Sequence, residues 1–212
     1  MKFLELINKC LVELNYKQVA DFAELTKNEH KKLINILNIL NTEICSSERW
    51  NFLERKTNLT LPKNTCEIEN PINGRIEAIF IDGEKYKYFD DFEKFFQNSQ
   101  PSGTYSFYED KILFPIFNKD KNIKILYYTS NYAKDSNGTE KAILEKYNDS
   151  SVIPDIFAEP ALVYGACMRL KGNPQHIRFS YWLSMYKDAL ANMRSKISSS
   201  MDYAPEVKIH RK

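Results

Sequence analysis

The sequence predicts an α+β fold: a four-helix bundle with a β-strand block inserted between its two helix pairs, plus an extended C-terminal tail. Three observations carry that expectation. Apolar residues recur at helical spacing near both ends of the chain, at Phe3, Ile7, Leu11 and Leu14 and again at Ile156, Leu162, Ala166 and Leu170. Between Phe52 and about Tyr132 the apolar period falls close to two, the period of a half-buried strand. Beyond Ser198-Ser199-Ser200 no core pattern remains.

Taken in order, the first helix is expected from about Lys2 to Asn15, with Leu4, Leu6 and Cys10 widening its stripe. Thr26-Lys27-Asn28-Glu29 has the form of a capping box, because the Thr hydroxyl can accept from a free backbone N–H while Glu29 reaches back. It opens a second helix to about Ser47, with Leu33, Leu37, Leu40 and Ile44 on one face. Leu59-Thr60-Leu61 reads as a strand end. Arg75 to Ile81 and Glu84 to Tyr88 flank Asp82-Gly83, a pair that takes the left-handed dihedrals of a tight hairpin. Asp90-Asp91 should cap a short helix carrying Phe92, Phe95 and Phe96. Strands follow at Thr104 to Tyr108, Lys111 to Phe114 and Asn122 to Thr129. The third helix should run from Pro154 to Gly172, its C-terminal cap. Asn173-Pro174 should start the fourth, with Ile177, Tyr181, Met185, Leu190, Met193 and Ile197 on its buried face. The domain assignment is then 1–50 with 152–200 as a discontinuous helical bundle, 51–135 as the inserted β-rich subdomain, 136–151 as a loop and 201–212 as the tail.

Composition narrows the function. The 212 residues include 30 basic and 28 acidic side chains, for a net charge of +2, so the chain lacks the overall basic balance of a nucleic-acid binder. Cys10, Cys45, Cys66 and Cys167 form no CxxC pair, and no secretory signal opens the chain, so they are read as reduced. No apolar run approaches the ~18 residues that span a bilayer, and no membrane contact is expected. His30, His176 and His210 are scattered and are read as structural or surface residues. Phosphate-binding glycine loops and nucleophile elbows are missing. No catalytic residue, cofactor or metal site is therefore expected. The rings of Tyr105, Phe107, Tyr108, Phe114, Phe117, Tyr127, Tyr128 and Tyr132, with Lys111, Lys119, Lys121 and Lys124 nearby, allow an alternative: a nucleic-acid-binding module that stacks bases on an aromatic β-subdomain. Sheet packing or subunit contact is the favoured use of these rings.

Several segments, taken in order, carry a resemblance. They are Met1-Lys2-Phe3-Leu4-Glu5-Leu6, Ser47-Glu48-Arg49-Trp50-Asn51-Phe52-Leu53 and Gln100-Pro101-Ser102-Gly103-Thr104-Tyr105. Lys111-Ile112-Leu113-Phe114-Pro115 and Ile123-Lys124-Ile125-Leu126-Tyr127-Tyr128 follow, then Ile153-Pro154-Asp155 with Val163-Tyr164-Gly165-Ala166. Over about residues 1–200 this order resembles the head-to-tail adaptor (connector ring) proteins of tailed bacteriophages. The resemblance implies a virion structural protein at the head–tail junction, synthesised in the host cytoplasm and without enzymatic activity. It implies a homo-oligomeric ring, generally of twelve copies, that docks under the portal protein and receives the next tail or ring protein. DNA would pass through the lumen without its sequence being read. Candidate contact residues are Tyr127 and Tyr128 in the last strand, and Tyr203, Pro205, Val207, Ile209 and Arg211 in the tail, where Val207-Lys208-Ile209 alternates as an added strand does.

Overall fold

The computed structural model describes residues 1–197. In chain order the elements are α1 (Phe3–Glu13), α2 (Asn28–Ser47), β1 (Glu54–Leu61), β2 (Glu67–Glu69), β3 (Gly74–Ile81) and β4 (Glu84–Tyr88). Then come α3 (Glu93–Phe96), β5 (Thr104–Tyr108), β6 (Lys111–Leu113), β7 (Lys121–Thr129), β8 (Ala133–Lys134), β9 (Glu140–Lys141) and β10 (Ser150–Ser151). The chain closes with α4 (Asp155–Ala158), a π-helical segment (Glu159–Tyr164), α5 (Gly165–Lys171) and α6 (Phe179–Ile197). Two compact units result: one from Met1–Leu53 with Asn131 onward, the other from Glu54–Ser130.

The expected four-helix bundle with a modest strand block is not what forms. The fold is α+β, but its dominant element is a seven-stranded sheet in the order β1-β7-β3-β4-β5-β6-β2. Leu61, Ile79, Ile81, Tyr105, Ile112, Phe114, Ile123 and Ile125 come from five of its strands and the loop after β6, yet they form one buried cluster. A flat sheet could not bring them together, so the strands curl nearly into a barrel around this core. The two edge strands, β1 and β2, are consecutive in the chain and joined by residues 62–66. All pairings are antiparallel except β4 with β5, whose parallel crossover carries α3.

Alternation sets the inner face. Ile123, Ile125 and Tyr127 of β7 point inward, paired across to Leu59, Thr57 and Arg55 of β1. On β3, Ile76 and Ile79 both pack on the core although they are three positions apart, because the pairing shifts by one residue between Ile76 and Ala78. This bulge restores the parity that an odd spacing would break. Asp82 and Gly83 take positive φ (48° and 91°), the left-handed pair expected of this hairpin.

In the other unit, α1 buries Phe3, Leu6, Ile7, Cys10 and Leu11, and α2 buries Leu33, Leu37, Leu40 and Ile44. Both pack against the run from α4 to α5. Pro160 within that run lacks a backbone donor, and the helix widens there into its π turn. Gly172 closes α5 with φ 56°. The segment expected to be a loop, 136–151, instead contributes β9 and β10 to a three-stranded sheet, β10-β8-β9.

Three local expectations are also corrected. The N-cap of α2 is Lys27 and makes no side-chain cap bond, so Thr26-to-Glu29 is not a capping box. Phe92, not Asp90 or Asp91, occupies the N-cap of α3; Asp90 instead accepts from the Tyr88 hydroxyl at 2.8 Å. The last helix begins at Phe179, six residues after Asn173. The Asn173 side chain accepts from Gln175 N at 2.9 Å and His176 N donates to the Asn173 carbonyl, which holds a turn and leaves Ile177 91% exposed. The buried face of α6 is accordingly Trp182, Ala189 and Met193.

Candidate functional site

The rings expected to share one surface divide between the two faces of the sheet. Tyr105 and Phe114 lie in the core of the β unit, and Phe107, Phe117 and Tyr127 pack against it. They form no exposed stacking platform. Tyr127 and Tyr128 are neighbours on β7 and therefore face opposite ways. Tyr127 is half-buried against the core. The Tyr128 hydroxyl donates to Glu54 Oε1 at 3.2 Å, directly across the β1–β7 ladder. Tyr203, Pro205, Val207, Ile209 and Arg211 lie outside the described residues.

A different aromatic surface is present. Phe92 and Phe96 stand one helical turn apart on α3, and both contact the Tyr108 ring, at centroid distances of 5.1 and 5.4 Å. All three are exposed, Phe96 by 53%, while Phe95 between them is buried. A single helical turn can bury only one side, so of three phenylalanines within five residues some must face outward. That crowding is legible in the sequence. Their meeting with Tyr108 is not, since it depends on the β4–β5 crossover. Exposed rings in mutual contact are the kind of surface that protein interfaces use.

The outer face of β1, β7 and β3 forms a second feature, a groove of about 810 Å³. Lys56, Asn58, Thr60, Phe80, Asn122 and Lys124 line it, alternating with the inward core residues. The groove's one lining carboxylate, Asp82, is engaged by Lys121 Nζ at 2.7 Å and Asn122 N at 3.1 Å. These two donors hold its carboxyl below the usual carboxylate range.

In the helical unit the ends of α1 are held by other segments. Phe3 N and Leu4 N donate to the carbonyls of Asp149 and Tyr147, satisfying N–H groups that the helix start leaves unpaired. At the other end, Trp182 Nε1 donates to Glu13 Oε2 at 3.1 Å and Arg178 donates to the Glu13 carbonyl at 2.8 Å. The Tyr164 and Tyr181 hydroxyls meet at 3.5 Å, and that contact, followed by burial, pushes the Tyr164 phenol up to about 12. It stays protonated at neutral pH and can donate.

Cys10 and Cys167 are buried where α1 meets α5, and burial above all raises the Cys10 thiol, the opposite of what a nucleophile needs. Of the three histidines, His30 is buried, His176 stacks on Trp182 at 5.1 Å, and His210 lies outside the described residues. Among the described residues no three His, Cys, Asp or Glu side chains gather as metal ligands would, and no helix is long and apolar enough to cross a membrane. Comparison with models of known protein families and with curated protein sequences finds no match.

Proposed function

We propose that this protein is a structural subunit of a tailed-bacteriophage virion, forming a ring that joins the portal vertex to the tail. The observation that carries the reading is the joint order of the resembling segments along the chain. Their places in the fold support it. Trp50 sits between α2 and β1, fully buried, and its indole N–H donates to the Ile44 carbonyl at 2.6 Å, closing the helix end. Pro101 to Gly103 turns the chain into β5, Ile153-Pro154 precedes α4, and Gly165 opens α5.

The Phe92–Phe96–Tyr108 surface is the proposed contact for a neighbouring subunit or the next ring. Lateral contacts in such a ring can be weak, because a portal template raises the effective concentration of subunits already docked. The portal, the next tail protein and sister subunits are the proposed protein partners. DNA is proposed to pass through the lumen, and the terminal residues 201–212 are the proposed portal attachment.

The test mixes the full chain with rings of a tailed-bacteriophage portal protein, followed by sedimentation and electron microscopy. The expected result is a ring on the portal's tail-facing end. A double variant, Phe92→Asp with Phe96→Asp, should keep its circular dichroism spectrum but weaken ring formation at least tenfold, since a charge in an aromatic contact is left without its water. Full-length protein that never attaches to portal would overturn the proposal.

A further inference from the structure

We propose that the outer face of β1, β7, β3 and β4 binds single-stranded nucleic acid. The inference does not depend on the connector reading. The register places Asn58, Lys124, Phe80 and Lys85 in one row across the four strands, because Asn58 pairs with Lys124, Lys124 with Phe80, and Phe80 with Lys85. Neighbouring strands lie about 4.8 Å apart, so the row spans roughly 14 Å with a lysine on either side of the Phe80 ring. Lys56 adds a third cation diagonally from Lys124, two residues along β1 from Asn58.

All three lysines are exposed, and among the described residues none has a carboxylate in ion-pair contact. Lys121, which shares the inward parity of Ile123, is engaged by Asp82 and adds no cation to this row. The groove beside the row adds the neutral donors and acceptors of Asn58, Thr60 and Asn122. Cations spaced around a half-buried ring, with amides and hydroxyls between them, suit a strand whose phosphates meet the lysines and whose bases stack. An acidic peptide would use the lysines alone and have no need of Phe80. This outer face also differs from the aromatic run that the sequence suggested, most of which is core.

The test uses the full chain, fluorescein-labelled (dT)12 and fluorescence anisotropy between 50 and 200 mM salt, with polyglutamate of matched charge as competitor. Neutralising three phosphates on a single strand predicts a log–log salt slope of about −2, a loss of affinity of roughly fifteen- to twentyfold over that range. The triple variant Lys56→Gln, Lys85→Gln, Lys124→Gln should lose binding at 50 mM salt while melting as the parent does. Phe80→Leu, which keeps an apolar side chain, should weaken (dT)12 about fivefold or more and leave polyglutamate binding unchanged. No binding of (dT)12 at 50 mM salt, or a triple variant that binds as the parent does, overturns the proposal. So does polyglutamate that competes on equal terms while Phe80→Leu has no effect; that result identifies the face as a dock for acidic protein.

Discussion

Gly74 and Gly165 stand where a single methyl group would meet a neighbour. A Cβ on Gly74 would lie 2.1 Å from the Tyr128 carbonyl oxygen, a backbone atom of the paired strand that cannot move without breaking the β3–β7 ladder. A Cβ on Gly165 would lie 3.0 Å from the Tyr186 ring and 3.2 Å from Leu40, both side chains that can shift. Gly74→Ala should therefore lower stability by about 1–3 kcal/mol, the usual cost of overpacking, and Gly165→Ala by less. Urea unfolding midpoints measure both. Equal losses would mean that the close approach at Gly74 is not a real constraint. The sequence presents Gly165 only as part of a resembling segment; the structure supplies its reason, close approach of α5 to α2 and α6.

Between elements, amide side chains act as clamps on passing backbone. Asn8 donates to the Val19 carbonyl and accepts from Val19 N, both at 2.9 Å. Asn38 treats Leu144 in the same way, at 3.0 and 2.9 Å. Asn41, almost fully buried, donates to the Tyr132 carbonyl and accepts from the Ser151 hydroxyl. Asp149 organises the turn before β10. Its Oδ2 accepts from Glu145 N and Lys146 N at 2.7 Å each and from Lys141 Nζ at 3.0 Å. Burial works to raise this carboxyl, but the two N–H groups and the ammonium outweigh it and hold it below its ordinary value. A carboxyl held low in the folded state adds stability above its unfolded pKa, about 3.9, and that contribution fades as pH falls through the folded value. Asp149→Asn should thus be less stable than the parent at pH 7, with the gap closing as pH drops below about 4. A gap that stays constant from pH 7 to pH 3 would show that the charge contributes nothing.

At the scale of the molecule, the β unit has the marks of an independently folding insert. It has its own core, and its two ends are neighbours, since Glu54 pairs with Tyr128 across one ladder. An excised chain of residues 54–130 should give a strand-type circular dichroism spectrum and a cooperative thermal transition, because closing its ends costs little loop entropy. A noncooperative, coil-like spectrum would mean that the sheet needs the helical unit to form.

Local periodicity by itself determined where most elements run. The α1 and α2 stripes, the Asp82-Gly83 hairpin and the alternation of β5 to β7 each depend on neighbours within one or two turns or a single pair of strands. The start of α6 escaped that reading because a six-residue turn held by Asn173 competes with the helix start that Asn-Pro suggests. Its buried face keeps the expected Met193 but adds Trp182 and Ala189. Only the tertiary structure decided which strands are neighbours, that β4 and β5 run parallel, and that the sheet curls around one core instead of serving as a small insert. Alternation says which side chains share a face; it does not say which face closes on itself. That choice is made by long-range packing, and it is what buries Tyr105 and Phe114, leaves Phe92, Phe96 and Tyr108 at the surface, and lines up Lys124, Phe80 and Lys85 across the strands.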